Sequence, residues 1–434
     1  MDQVSVSQLE SRMNTSSASP LFYKVFTLVA AGMILDAADV YLVSAVNSVL
    51  LKNHFATLAQ GSMFLSAGFM GLFFGSLLAG YIGDHFGRRI AYQSNLLLFG
   101  SMTLLGALAP NIWTLIVLRF LAAIGLGAEI VTGFSLVNEF APIASRGKWS
   151  GLVSVIANSA APLTLLLSAY VIPHYSWRMM FVIVGGLSLL LWIVRRGFPE
   201  SPRWLISKKR YQEAAVIIDR LNQDRDGLTD RSQQSTVEEP AKQATSIKRG
   251  LLVAIVAVSA INLVQYTFTS WMPTLLVKQG VAVAHSLVFS AVMMVGAPFG
   301  ALLGASLVDW LGRKKVIITT FIFTAVWGLI YANQRQAEAV MVVGFILVLA
   351  IYVLMASIVS VYVAELFPTT FRFRGAGIAN AVAKILTVFT PYVVAFALTY
   401  LKASVIFWFI AAVALIAAVI VAIFGPETKK VAIE

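Results

Sequence analysis

Apolar segments of about 20 residues recur along nearly the whole chain, and they constrain the fold more than any other feature of the sequence. A helix rises ~1.5 Å per residue, so about 20 apolar residues cross the ~30 Å hydrocarbon layer of a bilayer. A soluble core cannot absorb them all, because 59% of the residues are hydrophobic and only 12% are charged. The sequence therefore predicts an all-α integral membrane protein.

The apolar segments number twelve, in two sets of six. The first set is predicted at 24–50, 60–82, 90–108, 113–133, 149–171 and 178–194, and the second at 251–274, 287–309, 316–332, 340–362, 375–400 and 404–424. A hydrophilic stretch separates the sets, and its first part has the apolar spacing of an amphipathic surface helix at 201–221. The predicted division is a tail at 1–21, a six-helix bundle at 22–196, a linker at 197–248, a second bundle at 249–424 and a tail at 425–434.

The net charge of +12 is explained by where the Lys and Arg residues fall. In the predicted topology two of the 32 lie within apolar segments, Arg119 and Lys384, and five lie on one side, Lys52, Arg178, Lys278, Arg335 and Lys402. All the others fall on the side of the termini and the linker. Because cytoplasmic loops are enriched in Lys and Arg, both termini and the linker are predicted to be cytoplasmic. This account leaves no excess charge for a nucleic-acid partner.

Covalent chemistry is not indicated by the sequence. The chain contains no cysteine, which excludes disulfides, thiol nucleophiles and Cys-based metal sites. It shows no metal-ligand cluster, nucleophile–base pattern or phosphate loop, and the spacing of Gly125 and Gly127 is typical of helix packing. We therefore expect no catalytic residue, metal or cofactor. A membrane sensor would carry a longer cytoplasmic extension, which disfavours that class.

Three motifs occur twice, once in each set of apolar segments. The motif Asp-x-x-Gly-Arg occurs at 84–88, with Asp84, Gly87 and Arg88, and again at 309–313. The motif Glu-x-x-Pro-x-x-x-Arg occurs at 139–146 and 365–372, and the pair Pro-Glu occurs at 199–200 and 426–427. The separation between the first and the second copy is nearly the same for all three motifs. This repeat predicts two related six-helix bundles, and such repeats are the architecture of alternating-access transporters with a central site.

The same motifs resemble those of the major facilitator superfamily. Residues 80–89 and their copy at 305–314 resemble its signature between the second and third spans, and residues 119–127 resemble its fourth-span motif. Residues 199–204 and 365–368 resemble the sugar-porter and organic-ion branch. The resemblance implies a monomeric secondary transporter in the cell inner membrane, with two pseudo-symmetric halves.

The substrate class is narrowed by motifs that are missing. The fifth span lacks the Gln-Leu-type motif of sugar porters and the Gly-Pro-rich pattern of drug antiporters, and the seventh span lacks the sugar porters' Gln-Gln pair. Residues 268–280 are similar to bacterial transporters of niacin and aromatic acids. The resemblance implies proton-coupled uptake of a small organic acid such as nicotinate. Transport of a neutral or cationic metabolite, or of a sugar, is the alternative.

Five ionisable residues lie inside predicted spans, where a charge is costly and marks a functional site by default. They are Asp36, Asp39, Arg119, Glu129 and Lys384. For each, the alternative interpretation is a structural ion pair between helices.

Proton coupling is assigned to the acidic members of this group. Asp36 and Asp39 are three residues apart on one helix and lie on nearly one face. Since two close anions in a low dielectric disfavour double ionisation, one of them can hold a proton. Both lie at about the level of Arg119, so an Asp–Arg pair is allowed. Glu129 is ten residues from Arg119 and is predicted to be a second proton site or a helix tie.

Substrate binding is assigned to Lys384, ~13 Å into its helix when counted from Gly375 and thus close to the mid-plane. The second half offers it no acid within a span, so the partner is predicted to be the first half or an anionic substrate. Tyr266 and Asn262 form a polar-aromatic stripe suited to a ring and its heteroatom, although ordinary helix packing explains this stripe equally well. The other predicted substrate-binding residues are Trp271, Asn380 and Arg119.

The charged loop motifs are predicted to form a gating network at the cytoplasmic ends. Its members are Asp84, Arg88, Arg89, Glu139, Arg146, Glu200, Arg203, Asp309, Arg313, Glu365 and Arg372. A network that forms when the cytoplasmic side closes and breaks when it opens supplies the differential contacts of a two-state gate. Exposed pairs are individually weak, so the network biases the equilibrium.

Overall fold

The structure is a computed structural model that describes residues 9, 12–13, 19–142, 145–222, 246–334, 336–368 and 371–428. All regular structure in these ranges is helical. Eleven helical segments are long and apolar enough to cross a membrane. The twelfth predicted span is also a helix, Arg88–Gly106, and its polar residues Arg88, Arg89, Gln93 and Asn95 make it less apolar than the others.

The first half contains six long helices and the start of the linker. They are α1 (Pro20–Lys52), α2 (Leu58–Phe86), α3 (Arg88–Gly106), α4 (Ile112–Phe140), α5 (Arg146–His174) and α6 (Trp177–Val194). A 3-10 turn at Arg195–Gly197 follows α6, and the linker begins with α7 (Pro202–Ser207) and α8 (Tyr211–Asn222). The amphipathic linker helix predicted from the sequence is thus two shorter helices. We call the side that carries them the linker side.

The second half repeats this arrangement with interruptions that the sequence analysis did not predict. Its helices are α9 (Ile247–Thr269), α10 (Met272–Lys278), α11 (Val283–Met294), α12 (Gly296–Leu311), α13 (Arg313–Ala332), α14 (Ala337–Met355), α15 (Val363–Glu365), α16 (Arg372–Tyr400) and α17 (Ser404–Phe424). A π-helical segment, Ala356–Tyr362, joins α14 to α15. The seventh span, predicted as continuous, ends at Thr269 because Pro273 cannot donate to the carbonyl four residues earlier. In the eighth span, Pro298 likewise cannot donate to the carbonyl of Met294, four residues earlier, and α11 ends at Met294.

Close helix packing occurs at corresponding places in the two halves. A Cβ atom added to Gly75 would lie 2.0 Å from the carbonyl oxygen of Ile124, and one added to Gly300 would lie 2.4 Å from that of Leu349. Helix α2 therefore lies directly against the α4 backbone, and α12 against α14. Small residues allow this close approach between membrane helices.

The two halves meet on the side opposite the linker. Ser66 on α2 donates a hydrogen bond of 2.7 Å to the carbonyl oxygen of Val388 on α16. Gly80 and Gly377 lie further towards the linker side on the same helix faces, and a Cβ atom at either would meet nothing within 4 Å. Along this pair of helices, the halves touch on the opposite side and separate towards the linker side, leaving a cleft between them.

Candidate functional site

The cleft is closed on the opposite side by a contact between α1 and the break in the seventh span. Ser44 on α1 donates to the carbonyl oxygens of Thr269 at 3.1 Å and Ser270 at 2.8 Å. The Thr269 oxygen is available because Pro273 has no N–H to donate. The sequence-level proline thus creates the acceptor that joins the halves.

Aromatic side chains lie one helical turn closer to the linker side. Tyr41, three residues before Ser44, forms a hydroxyl–hydroxyl hydrogen bond with Tyr352 on α14. The Gln265 amide donates to the same Tyr352 hydroxyl at 3.3 Å. The Phe69 ring on α2 packs edge-on against Tyr266 on α9, with centroids 4.7 Å apart. The Tyr41–Tyr352 and Phe69–Tyr266 contacts cross between the halves and form the end of the cleft, whereas the Gln265–Tyr352 contact lies within the second half.

Lys384 lies beside this aromatic layer. It is on the α16 face that carries Val388, one turn nearer the linker side, and so faces the first half just beyond the Ser66 contact. Its side chain is partly buried. Within the ranges that the structure describes, its ammonium group has no hydrogen bond or ion pair. The cation therefore stands in the cleft without an anion from the described residues.

The other predicted substrate-binding residues differ in their burial and hydrogen bonding. Tyr266 and Asn262 are partly buried on α9, and Asn380 donates its amide to the Ala376 carbonyl at 2.9 Å. Trp271 differs from the expectation, because it is fully buried in the core and presents no surface to the cleft. It lies at the break between α9 and α10.

Arg119 pairs with Asp39. The sequence allowed this pair, because helix rise places both residues at about the same depth. The guanidinium of Arg119 on α4 contacts the Asp39 carboxylate on α1, and both side chains are buried. A small cavity beside the pair is lined by Thr103, Leu115 and Phe181 among others. Burial of the pair ties α1 to α4 within the first half, since each charge needs the other as its partner.

Glu129 pairs with a residue that was predicted to lie on the linker side, at the end of the first bundle. Arg195, in the turn after α6, donates to the Glu129 carboxylate at 2.5 Å and to the Leu28 carbonyl at 2.8 Å. Its guanidinium also lies 3.9 Å from the centroid of the Tyr92 ring. Arg195 is fully buried, and it lies within a helical segment long and apolar enough to cross a membrane, Trp177–Gly197. Asp36, also buried, has no hydrogen-bond partner for either carboxylate oxygen among the described residues.

The predicted gating residues form two corresponding clusters, one in each half. In the first, Arg88 bonds to Asp84 at 2.7 Å and to Glu139 at 3.3 Å, and its backbone N–H donates to Glu200 at 2.8 Å. In the second, Arg313 bonds to Asp309 at 3.1 Å and to Glu365 at 3.0 Å, and its backbone N–H donates to Glu427 at 2.9 Å. Each cluster joins helix ends within its own half. The opening and closing of this network with the state of the linker side stays a prediction.

The remaining predicted gating residues lie around these two clusters or outside the described side chains. The Arg89 side chain donates to the Arg196 carbonyl at 3.0 Å, and Arg203 is exposed. Burial raises the pKa of Glu200, while backbone N–H groups of Ser201, Arg89 and Arg88 oppose that rise. The side chains of Arg146 and Arg372 fall outside the part of the chain that the structure describes.

Three participants were missed by sequence reasoning: Arg195, Tyr41 and Tyr352. Arg195 sits at the end of an apolar segment beside Arg196, a position typical of a solvated flank. Its burial depends on the return of the chain from α6 across α1 and α4. The tyrosines lie in apolar runs, and only the meeting of the halves pairs their hydroxyls.

Comparison with known proteins agrees with this architecture. The family model "Sugar (and other) transporter" matches residues 25–434. The inner membrane metabolite transport protein YdjE of Escherichia coli (strain K12) is 34% identical, over 98% of both chains. The niacin transporter NiaP of Acinetobacter baylyi is 27% identical, over 98% of this chain and 99% of its own.

Among solved structures, an inward-open conformation of the xylose transporter XylE from E. coli superposes with a TM-score of 0.76. It is 17% identical and covers 94% of this chain and 97% of its own. At this identity the likeness concerns the fold, which is the two-domain, twelve-helix fold predicted from the repeat. The chain is therefore a multi-pass membrane transporter, not an enzyme, and belongs to the sugar (and other) transporter family of the major facilitator superfamily.

Proposed function

We propose that this protein imports a small organic acid, such as nicotinate or another aromatic acid, together with protons by alternating access. The observation that carries the proposal is Lys384, a cation in the cleft with no anionic partner among the described residues. A charge near the middle of a membrane is costly without a partner. A bound carboxylate would supply that partner.

The surroundings of Lys384 suit an aromatic anion. The Phe69 and Tyr266 rings meet at the same end of the cleft, on the two helices next to α16. A ring held between the halves while its carboxylate contacts Lys384 would draw α16 towards the first half. This is the differential contact that a substrate must make to favour one state over another. The relation to a niacin transporter at 27% identity supports the same substrate class.

Proton coupling is proposed for Asp36 and Asp39, the acids of α1. Both are buried, and only Asp39 has a cationic partner in hydrogen-bond contact within the described ranges. In our proposal the linker side is cytoplasmic and one chain forms the whole pathway, since the sites lie between its own halves. The structure then corresponds to a state open to the cytoplasm.

Transport of a neutral metabolite or sugar is the second candidate. Gln265 favours it, because its amide is buried beside the cleft tyrosines and its Oε1 atom has no partner among the described residues. Amide groups of this kind bind hydroxylated ligands. In this alternative Lys384 has no anion to bind, so the charge of the substrate distinguishes the two functions.

The experiment is uptake by the purified protein in liposomes with an alkaline interior. Radiolabelled nicotinate and benzoate are compared with nicotinamide and xylose, with and without a protonophore. Because weak acids also accumulate passively in alkaline vesicles, protein-free liposomes provide the baseline. We expect an acid to accumulate above that baseline only with the gradient. Equal transport of nicotinate and nicotinamide, or transport of xylose alone, would contradict the proposal.

A further inference from the structure

A buried charge cluster in the first half goes beyond the two acids assigned to proton coupling. Arg195 contacts three helices at once, through the Glu129 carboxylate on α4, the Leu28 carbonyl on α1 and the Tyr92 ring on α3. It is fully buried, and so is Glu129. Its Nε atom has no hydrogen-bond partner among the described residues.

Helix α1 offers this guanidinium a path to a second carboxylate. A Cβ atom at Gly32 would lie 1.9 Å from the Arg195 Nη2 atom and 2.6 Å from the Glu129 Oε1 atom. Because Gly32 has no side chain, the Arg195–Glu129 ion pair can lie directly against the α1 backbone. Asp36 is one turn further along α1 on the same face, ~6 Å higher by helix rise. Asp36 interacts electrostatically with three charged groups of the described residues: Glu129, Arg195 and Asp39.

The cluster holds more acids than cations. Asp39 is paired with Arg119 and Glu129 is paired with Arg195. Asp36 is left, and neither of its oxygens has a hydrogen-bond partner in the described part of the chain. A buried carboxylate without a partner takes up a proton, because an isolated charge in a low dielectric is far more costly than a neutral group. The arrangement thus fits a neutral Asp36 carboxyl.

We propose that Arg195 is a charge switch that pairs alternately with Glu129 and Asp36, so that the two carboxyls share one proton. While Arg195 holds Glu129, the proton is on Asp36. When Arg195 turns along the Gly32 face to Asp36, the O–H bond of Asp36 breaks and an O–H bond forms on Glu129. The proton moves about one turn towards the linker side, and the charge of the cluster is unchanged. Arg195 is a positioning residue for this transfer, which rests on the proposed proton coupling.

Infrared difference spectroscopy of the purified protein in lipid nanodiscs tests the switch without any substrate. The C=O stretch of a neutral carboxyl reports the proton directly. We expect the wild type to show this band at neutral pH, Asp36→Asn to lose it and Asp39→Asn to keep it. In Glu129→Gln, Arg195 has only Asp36 to pair with, so the band should be lost although Asp36 is intact. It should return in the Glu129→Gln/Arg195→Gln double variant.

A second variant keeps the test decisive if Glu129→Gln folds poorly. In Arg195→Gln neither carboxyl has a cation, so both become neutral and the band should roughly double in intensity. A band that is the same in wild type, Glu129→Gln and Arg195→Gln would show a fixed helix tie and overturn the proposal. Loss of the band in Asp39→Asn alone would assign the proton to Asp39 and overturn it as well. A failure to transport organic acids would leave these spectra unaffected, so the two proposals can fail separately.

Discussion

Ser44 donates a hydrogen bond to the carbonyl oxygen of Thr269, 3.1 Å away, and this contact joins the first half of the protein to the second. The acceptor is free because Pro273, four residues further on, has no N–H. A local property of one proline therefore becomes a contact between two bundles.

Ser44→Ala should weaken closure on the side opposite the linker. The lost hydrogen bond is worth about 1 kcal/mol, which changes the ratio of closed to open molecules about fivefold. Spin labels at Asn53 and Gln279, exposed positions on that side of the two halves, report the change as a longer distance distribution. Ser101→Ala is a suitable control, since that hydroxyl bonds only within its own helix. An unchanged distribution in Ser44→Ala would show that other contacts determine the closure.

Lys384→Gln should raise the Km for an organic acid by about 10- to 100-fold, because a hydrogen bond to a charged group contributes about 1.5–3 kcal/mol. Uptake at a range of concentrations measures the change. Lys402→Gln removes the same charge at an exposed site just after the same helix and should leave Km unaltered. Equal Km values in the two variants would favour a structural role for Lys384.

Asp36→Asn should abolish accumulation driven by a pH gradient while retaining exchange of labelled for unlabelled substrate. Asparagine resembles the neutral carboxyl in shape and cannot release a proton, so binding persists and coupling is lost. Asp219→Asn, on the exposed face of α8, serves as the matched control. Gradient-driven accumulation by both Asp36→Asn and Asp39→Asn would move the proton role to Glu129.

Gly32→Ala should lower the melting temperature of the protein. The new methyl group would lie 1.9 Å from Arg195 Nη2, and the buried Arg195–Glu129 pair must shift or separate to admit it. Gly151→Ala adds the same methyl group to α5 where nothing lies within 4 Å, and should be neutral or slightly stabilising. Thermal unfolding in detergent compares the two. A Gly32→Ala protein as stable as Gly151→Ala would mean that the pair has room to move.

Cysteine labelling tests the proposed orientation, and the absence of native cysteine makes any introduced one unique. Cysteines replace Lys208 in the linker and Lys278 at the end of α10, both exposed. In right-side-out vesicles an impermeant maleimide should label position 278 and leave position 208 unlabelled until the membrane is opened. Labelling of both positions in sealed vesicles would contradict the topology.

The sequence by itself determined the membrane class, the twelve spans and the duplication into halves, because these depend on local hydropathy and on motif spacing. It also allowed the Asp39–Arg119 pair, since helix rise alone gives the level of each residue. The break at Pro273 was equally local, yet it was not predicted, because a proline in a membrane helix is often accommodated without a break.

Only the tertiary structure decided which charges meet. Arg195 looks like a solvated flank of α6 in the sequence, and it becomes a buried partner of Glu129 because α1, α3 and α4 surround it. Tyr41 and Tyr352 look like ordinary apolar-helix residues until the halves close over them. Lys384 is recognisable as costly from the sequence, but its lack of a partner in the described residues depends on the helices packed around it. Hydropathy acts along the chain, whereas pairing depends on contacts between residues far apart in sequence, and those are set by packing.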